Sequence, residues 1–340
     1  MDKQLLIYTA NALVAGSKGL LAMDESTGTC NKRFAALGIL QTEEYRRDWR
    51  ELIATTPGLG KYISGAILYD ETIHQKKKDG TLIVNAIIND GIIPGIKVDI
   101  GAKAMAGFPG EKITEGLDGL RERLNEYYKM GARFAKWRAV IAIGNVIPTR
   151  ACIEANANAL ARYASLCQEA GMVPVVEPEV LMDGDHDLKR CFDITEHVLL
   201  TVFDQLYRQK VLLEGMLLKP NMVIPGLQCF EQASVDEVAE ATIQCLLQSV
   251  PAAVGGIAFL SGGQSGKMAS AHLNAMHVWH ATKIPWPLTF SFGRAIQQPA
   301  MSIWRGAESN RHEAQQALYH RVKCDDAARR GEYTAAMEQG

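Results

Sequence analysis

No stretch of this chain carries the ~20 consecutive apolar residues that a membrane-spanning helix needs. The N-terminal MDKQLLIYTANALVAGSKG has an acid at Asp2 and no apolar core of signal-peptide length, so a cytoplasmic protein is expected. Charge of one sign is also missing. The 36 Lys+Arg against 38 Asp+Glu leave a net charge of −2, which gives no electrostatic case for a nucleic-acid or membrane-surface partner. Cysteine is sparse: seven residues, an odd number, with no C-x-x-C. Neither a disulfide framework nor a Cys-based zinc site is indicated, and the thiols are expected to be reduced and mainly buried. No Ser/Gly/Pro-rich linker or long charge block divides the sequence. What remains is ordinary globular composition, 47% hydrophobic and 22% charged, far from the signature of disorder.

Short apolar runs recur along the chain, most of them ending in a polar or charged residue: LLAMD to Asp24, GAILYD to Asp70, GIKVD to Asp99 and RFAKWRAVI around Lys136. The series continues through VPVVEPEV around Glu177, MLLKPN with Lys219, GIAFLSGG with Ser261 and PLTFSFGR to Arg294. Successive runs lie 29 to 46 residues apart, room for a strand, a loop and at least one helix. Eight such units match a single (β/α)8 barrel, the α/β architecture known as a TIM barrel. Between two of the runs, Ile153, Ala157, Leu160, Ala164 and Cys167 recur at steps of four and three and stop before Gly171, the pattern of an amphipathic helix with a glycine cap. Apolar runs without alternation fit parallel strands buried on both faces. The reading is one domain over 1–340, with barrel strands over about 19–293. Helical extensions lie outside them at 1–18 and about 300–340, the latter carrying NRHEAQQALYHRVKCDDAARR. A doubly wound sheet with the same unit count is the architectural alternative.

The C-terminal ends of barrel strands converge on one pocket. This sequence puts Asp24, Lys97, Asp99, Lys136, Arg138, Glu177, Glu179, Lys219 and Arg294 within or just after the apolar runs, where an isolated charge is costly. Any one of them reads as a satisfied ion pair, but nine together point to a functional site. Lys219 is the most informative: an unpaired lysine buried in an apolar strand loses its proton readily and becomes a nucleophile toward carbonyls. Lys136 is the candidate second cation that would lower its pKa further. Glu177 and Glu179, two apart on a strand, share a face, and one of them is suited to shuttle protons.

Two loops suggest phosphate binding, LSGGQSG at 260–266 and SFGR at 291–294, because barrels often place a phosphate after strands seven and eight. GGQSGK is not a P-loop, since Ser261 stands where the first glycine is required and Met268 follows Lys267. Three further features read as structural: the histidines 272, 277 and 280, the loop tip Lys76-Lys77-Lys78-Asp79-Gly80, and the acidic turn DGDHD at 183–187.

Taken together, LLAMDESTGT at 20–29, GIKVD, FAKWR, VEPEVLMDGDHDLKR, LEGMLLKPNMV, FLSGGQS and LTFSFGRA resemble the class I, Schiff-base fructose-bisphosphate aldolases over nearly the whole chain. The resemblance implies a metal- and cofactor-independent lyase of glycolysis and gluconeogenesis. Its reaction is the reversible cleavage of fructose 1,6-bisphosphate to dihydroxyacetone phosphate and glyceraldehyde 3-phosphate. It implies Lys219 as the Schiff-base lysine, Glu177 as the acid/base with Glu179 as its neighbour, Asp24 as acceptor of the hydroxyl proton and Lys136 as the cation between them. One substrate phosphate would lie on Ser261, Gly262, Gly293 and Arg294, and the other on Ser26, Thr29, Arg33, Lys97 and Arg138. Trp137 would face away from the site. The partners implied are phosphorylated sugars and three further copies of the chain, in a homotetramer. Two departures are visible. GEYTAAMEQG stops at Gly340 where many relatives continue to a terminal tyrosine, so Tyr333 is not that residue, and the resemblance leaves the rate of enamine protonation and the choice between bisphosphate and monophosphate ketose open. Ile100 stands where several relatives have a lysine, which makes the second phosphate site less cationic. A Schiff-base enzyme for another sugar phosphate, a catalytically silent scaffold barrel and a metal-dependent hydrolase remain the other readings.

Overall fold

A computed structural model describes residues 2–280 and 282–339, the side chain of His280 excepted, so His280 falls outside what can be compared with the sequence reading. Eight parallel strands close into a barrel: β1 Gly19–Met23, β2 Ile63–Leu68, β3 Ile93–Lys97, β4 Phe134–Ile141, β5 Val173–Val180, β6 Leu217–Leu218, β7 Ile257–Phe259 and β8 Leu288–Phe292. Each pairs with its neighbours in chain order, and β8 returns to β1. Every residue of β5 is buried, as expected of a strand covered on both faces by side chains. The doubly wound alternative falls because β1 pairs with both β2 and β8. A short antiparallel hairpin, Gly101–Ala104 with Lys112–Glu115, is inserted after β3.

Parallel register decides which side chains share the barrel interior. Lys97 lies opposite Lys136, Arg138 opposite Glu177 and Val140 opposite Glu179, so the charges of β3, β4 and β5 stack inward at one end. Trp137, between Lys136 and Arg138, points outward and packs on Tyr163 with ring centroids 5.6 Å apart. Tyr163 belongs to the helix Arg150–Glu169, in which Ile153, Ala157, Leu160, Ala164 and Cys167 are all buried. The opposite end of the barrel is filled by aromatic rings, which demand glycine on the adjoining strands. A Cβ on Gly95 would sit 2.3 Å from the Phe134 ring, and one on Gly19 would sit 2.5 Å from the Phe290 ring.

The terminal extensions do more than flank the barrel. Asp2 caps the helix Lys3–Leu13, accepting from the Gln4 and Leu5 amides at 3.0 and 3.1 Å. Leu6, Ala10 and Leu13 of that helix pack with Leu20, Ile67, Phe134, Val175 and Leu217 and close the barrel floor. Each buried leucine there contributes about 1.5–3 kcal/mol. At the other terminus the eighth unit ends in the helix Arg294–Trp304, and the charged pattern forms the helix Arg311–Arg329. The extension therefore begins a few residues later than the sequence suggests. Its Ala314, Leu318 and Val322 are buried, and the Arg329 guanidinium donates to the carbonyls of Val14 and Lys18, tying it to the N-terminal segment.

The features read as structural take such roles. Lys76 bridges Leu82, Gly80 adopts φ +86°, and Lys77 pairs with Asp79 at 2.7 Å, making a hairpin tip. Asp187 of the acidic turn caps the helix Leu188–Arg208 by accepting from the Arg190 amide at 2.7 Å. His272 Nδ1 lies 2.6 Å from Gln264 Oε1 in the 260–266 loop. All seven cysteines are free thiols and six are buried.

Candidate active site

At the C-terminal end of the strands lies a cleft of about 1800 Å³. All fourteen residues to which the resemblance gives a catalytic or phosphate-binding role line it: Asp24, Ser26, Thr29, Arg33, Lys97, Lys136, Arg138, Glu177, Glu179, Lys219, Ser261, Gly262, Gly293 and Arg294. Near its centre runs a chain of ion pairs. Lys219 Nζ is 3.0 Å from Glu177 Oε1, Lys136 Nζ is 3.2 Å from Glu177 Oε2, and Lys136 Nζ is 2.9 Å from Asp24 Oδ2. Lys136, Glu177 and Lys219 are each no more than 4% exposed, so these contacts act in a poorly solvated medium where charge counts heavily.

The local sequence explains the placement. Lys219 sits one residue beyond β6, and its amide continues the ladder by donating to the Val176 carbonyl at 2.8 Å. Pro220 has no amide to extend it, which ends the strand there. The expectation of an unpaired Lys219 is corrected by the structure. A carboxylate faces the amine, because a buried ammonium without a partner would carry the whole cost of desolvation. Lys136, expected to act on Lys219, is itself held between Asp24 and Glu177.

The charges are mutually fixed. Burial works against the Asp24 carboxylate, but Lys136, Lys219 and Lys97 outweigh it and bring its pKa down to about 2. Glu177 is likewise held below the usual glutamate range, with burial opposed by Lys136, Lys219 and Arg138. The Lys136 ammonium is pushed well above the usual lysine range, since Asp24 and Glu177 more than offset its burial. Both carboxylates and Lys136 are therefore charged across the physiological range.

The predicted phosphate ligands fall into two groups around this centre. After β7 and β8, Ser261, Gly262 and Gly293 lie with Arg294, whose guanidinium donates to the Gly263 carbonyl at 3.3 Å. Arg294 has no ion-pair partner among the described residues, which leaves its charge open to the cleft. The other group is tied down by carboxylates: Arg33 to Glu25 at 2.6 Å, Lys97 to Asp99 at 2.6 Å, and Arg138 to Glu179. The Ser26 and Thr29 hydroxyls are 3.1 Å apart at the start of the helix Thr27–Ala36. Ile100 also lines the cleft and is 59% exposed, so the apolar residue noted in the sequence does face the substrate space.

Sequence reasoning left the role of one organising acid open and missed a second. Asp99 accepts from Lys97 Nζ at 2.6 Å, from the Gly101 amide at 3.1 Å and from the Arg138 amide at 3.2 Å, clamping β3 to β4. It was visible as a strand-end charge, but its partners were not. Glu25, immediately after Asp24, is the second, and the doubled acid DE at the end of the first apolar run was its one signal.

Comparison with known proteins agrees with this geometry. The sequence matches the family described as class-I fructose-bisphosphate aldolase over residues 5–340. A probable class 1 fructose-bisphosphate aldolase of Xanthomonas campestris pv. campestris is 58% identical over 98% of this chain and 99% of its own length. The cytosolic fructose-bisphosphate aldolase 4 of Arabidopsis thaliana is 48% identical over 97% of this chain and 84% of its own. A solved structure of fructose-bisphosphate aldolase from Plasmodium falciparum, in complex with TRAP and a small-molecule inhibitor, superposes with a TM-score of 0.95 at 46% identity, covering 98% of this chain and 96% of that one. With a closed eight-stranded parallel barrel and a lysine-carboxylate centre at its C-terminal end, the chain belongs to the class I fructose-bisphosphate aldolases, the metal-independent type.

Proposed function

We propose that the cleft cleaves fructose 1,6-bisphosphate reversibly to dihydroxyacetone phosphate and glyceraldehyde 3-phosphate, with Lys219 as the imine-forming residue. The observation that carries this is the 3.0 Å approach of Lys219 Nζ to Glu177 Oε1 inside the barrel. Transfer of one proton across that contact produces a neutral amine and a carboxylic acid together, the nucleophile and the acid the reaction needs. The amine adds to the C2 carbonyl, and one of its protons passes to the carbonyl oxygen to give the carbinolamine. Glu177 then protonates the carbinolamine hydroxyl, which leaves as water and gives the iminium. Asp24 accepts the proton of the C4 hydroxyl while the C3–C4 bond breaks, its electron pair moving into the iminium as an enamine and the aldehyde departing. Lys136 bridges Asp24 and Glu177, offsets the repulsion between the two carboxylates and stabilises charge as it shifts between them. Glu179 acts beside Glu177 by holding Arg138.

The phosphate next to the ketone is assigned to Ser261, Gly262, Gly293 and Arg294, because β7 adjoins the strand of Lys219. The distal phosphate is assigned to Ser26, Thr29, Arg33, Lys97 and Arg138, whose cations suit a dianion. The same reading takes residues 1–340 as one catalytic unit, in a cytoplasmic homotetramer. The family resemblance supports the tetramer. The cytosolic naming of plant relatives supports the location, as does the lack, among the described residues, of any helix long and apolar enough to cross a membrane.

Borohydride reduction with dihydroxyacetone phosphate, in the presence of a chelator and followed by peptide mass mapping, tests the mechanism. A stable adduct on Lys219 is expected; no adduct on any lysine of the folded protein overturns the reading.

A further inference from the structure

Glu25 lies beside Asp24 and lines the same cleft, but its carboxylate pairs with arginines and not with Lys136 or Lys219. Its carboxylate is 7% exposed and meets three donors: Arg33 Nη1 at 2.6 Å and Gln297 Nε2 at 2.8 Å on Oε1, and Arg50 Nη1 at 2.6 Å on Oε2. Arg50 also donates to the Glu25 carbonyl at 3.1 Å. The Gln297 amide is oriented by Trp49, whose Nε1 donates to Gln297 Oε1 at 3.2 Å, and it gives a further bond to the Ala22 carbonyl of β1 at 2.6 Å. Glu25 thus ties the end of β1 to the helices that carry Arg33, Arg50 and Gln297.

The two arginines differ in a way that matters. The Arg50 side chain is 3% exposed and has no carboxylate other than Glu25 among the described residues, while the Arg33 side chain is 21% exposed and lines the cleft. One carboxylate therefore serves two guanidinium groups, one locked in the interior and one able to reach a substrate. A phosphate dianion drawing Arg33 away leaves Glu25 still paired with Arg50 and hydrogen-bonded to Gln297. Without Arg50, the same movement would strip a buried carboxylate of its last cation, a costly state, and Glu25 would hold Arg33 against the substrate.

We infer that Glu25, Arg50 and Gln297 form a positioning unit in which Arg50 lets Glu25 hold Arg33 ready in the empty enzyme and release it to the distal phosphate. The inference rests on the assignment of Arg33 to that phosphate in the proposed function. Specificity for a bisphosphate over a ketose carrying only the phosphate next to its ketone then depends on a buried arginine that touches neither. Gln297 lies one turn into the helix that begins at Arg294, so the unit also joins the frameworks of the two phosphate subsites.

The test compares kcat and KM for fructose 1,6-bisphosphate and fructose 1-phosphate in the full-length enzyme. Arg50→Gln is expected to raise KM for the bisphosphate about tenfold and leave KM for the monophosphate within about twofold, lowering the bisphosphate-to-monophosphate ratio of kcat/KM by a similar factor. Adding Glu25→Gln to that variant frees Arg33 and is expected to restore most of the ratio, a rescue that a merely structural role of Arg50 does not give. Equal loss on both substrates, or no rescue, overturns the inference. Should Arg50→Gln fail to fold, Glu25→Gln alone decides: with the competing carboxylate gone, inorganic phosphate is expected to inhibit at an about fivefold lower concentration, and unchanged or weaker inhibition overturns it. Arg33→Ala separates the layers. If it leaves the bisphosphate KM unchanged, the phosphate assignment itself has failed.

Discussion

Replacing Lys136 by methionine keeps most of the stem and removes the charge that holds two buried carboxylates 2.9 and 3.2 Å from its amine. Lys136 is 4% exposed, so solvent screening does little to soften the loss. Breaking a buried pair by deleting one partner costs about 3–5 kcal/mol, and the hydrophobic gain is small because the stem is already buried. An unfolding entropy of ~2.1 cal/mol/K per residue over 340 residues gives ~0.7 kcal/mol/K, so Tm is expected to fall by about 4–7 °C at neutral pH. The pH dependence separates this cause from simple repacking. In the wild type, the stability contributed by Asp24, whose pKa is depressed from 3.8 to about 2, is full above 3.8 and disappears as pH falls through about 2. In the variant, burial of Asp24 and Glu177 has lost Lys136, the largest of the charges opposing it, and is opposed only by Lys219, with Lys97 at Asp24 and Arg138 at Glu177; both carboxyls are expected to rise above their unfolded values. Their ionised forms then destabilise at neutral pH, and protonation relieves that cost as pH falls. Thermal melts followed by circular dichroism at about pH 8 and about pH 4.5 should show the gap to the wild type narrowing at the lower pH. A gap below about 2 °C at pH 8, or one of the same size at both pH values, refutes the electrostatic account.

Two further substitutions probe the fold around the site. Gly95→Ala places a Cβ 2.3 Å from the Phe134 ring, so a loss of at least about 1–3 kcal/mol from overpacking is expected in denaturant titrations, with Phe134→Leu in the same chain recovering part of it. Burial brings His272 and His277 down to about 4 from 6.5, so between those values the unfolded chain binds more protons and stability falls as the solution is acidified from about pH 6.5 toward 4. Asp325, pushed up to about 6 by burial, works in the opposite direction, so a single-site change is the informative one. His272→Gln should flatten part of the acid loss seen in Tm against pH, and an unchanged slope would show that this imidazole does not contribute.

The convergence of charges was legible in the sequence because one geometric rule suffices: a polar residue at the end of an apolar run in a barrel has nowhere to point but the common mouth. That rule recovers Asp24, Lys136, Glu177 and Lys219 although β6, which leads to Lys219, has only two residues. It says nothing about which charge meets which. Lys219 read as unpaired because its partner lies on the neighbouring strand, and the pairing of Arg33 with Glu25 depends on how a helix returns over the barrel rim. The surface elements show the same limit. Arg321 and Asp325 are four apart on a helix, the spacing of an ordinary solvated pair, yet they are 4% and 0% exposed and meet at 3.3 Å in the interior. Likewise Leu6, Ala10 and Leu13 carry helical spacing that predicts a buried face, but only the structure shows that the face covers the open floor of the barrel. Periodicity reports that a face is buried, whereas the identity of what buries it is a property of the closed sheet. The buried Arg50 illustrates the consequence. In EEYRRDWRELIA it reads as one more charge of an exposed helix, and only the closure of β8 onto β1 carries Gln297 and Glu25 to it and makes its charge matter for substrate.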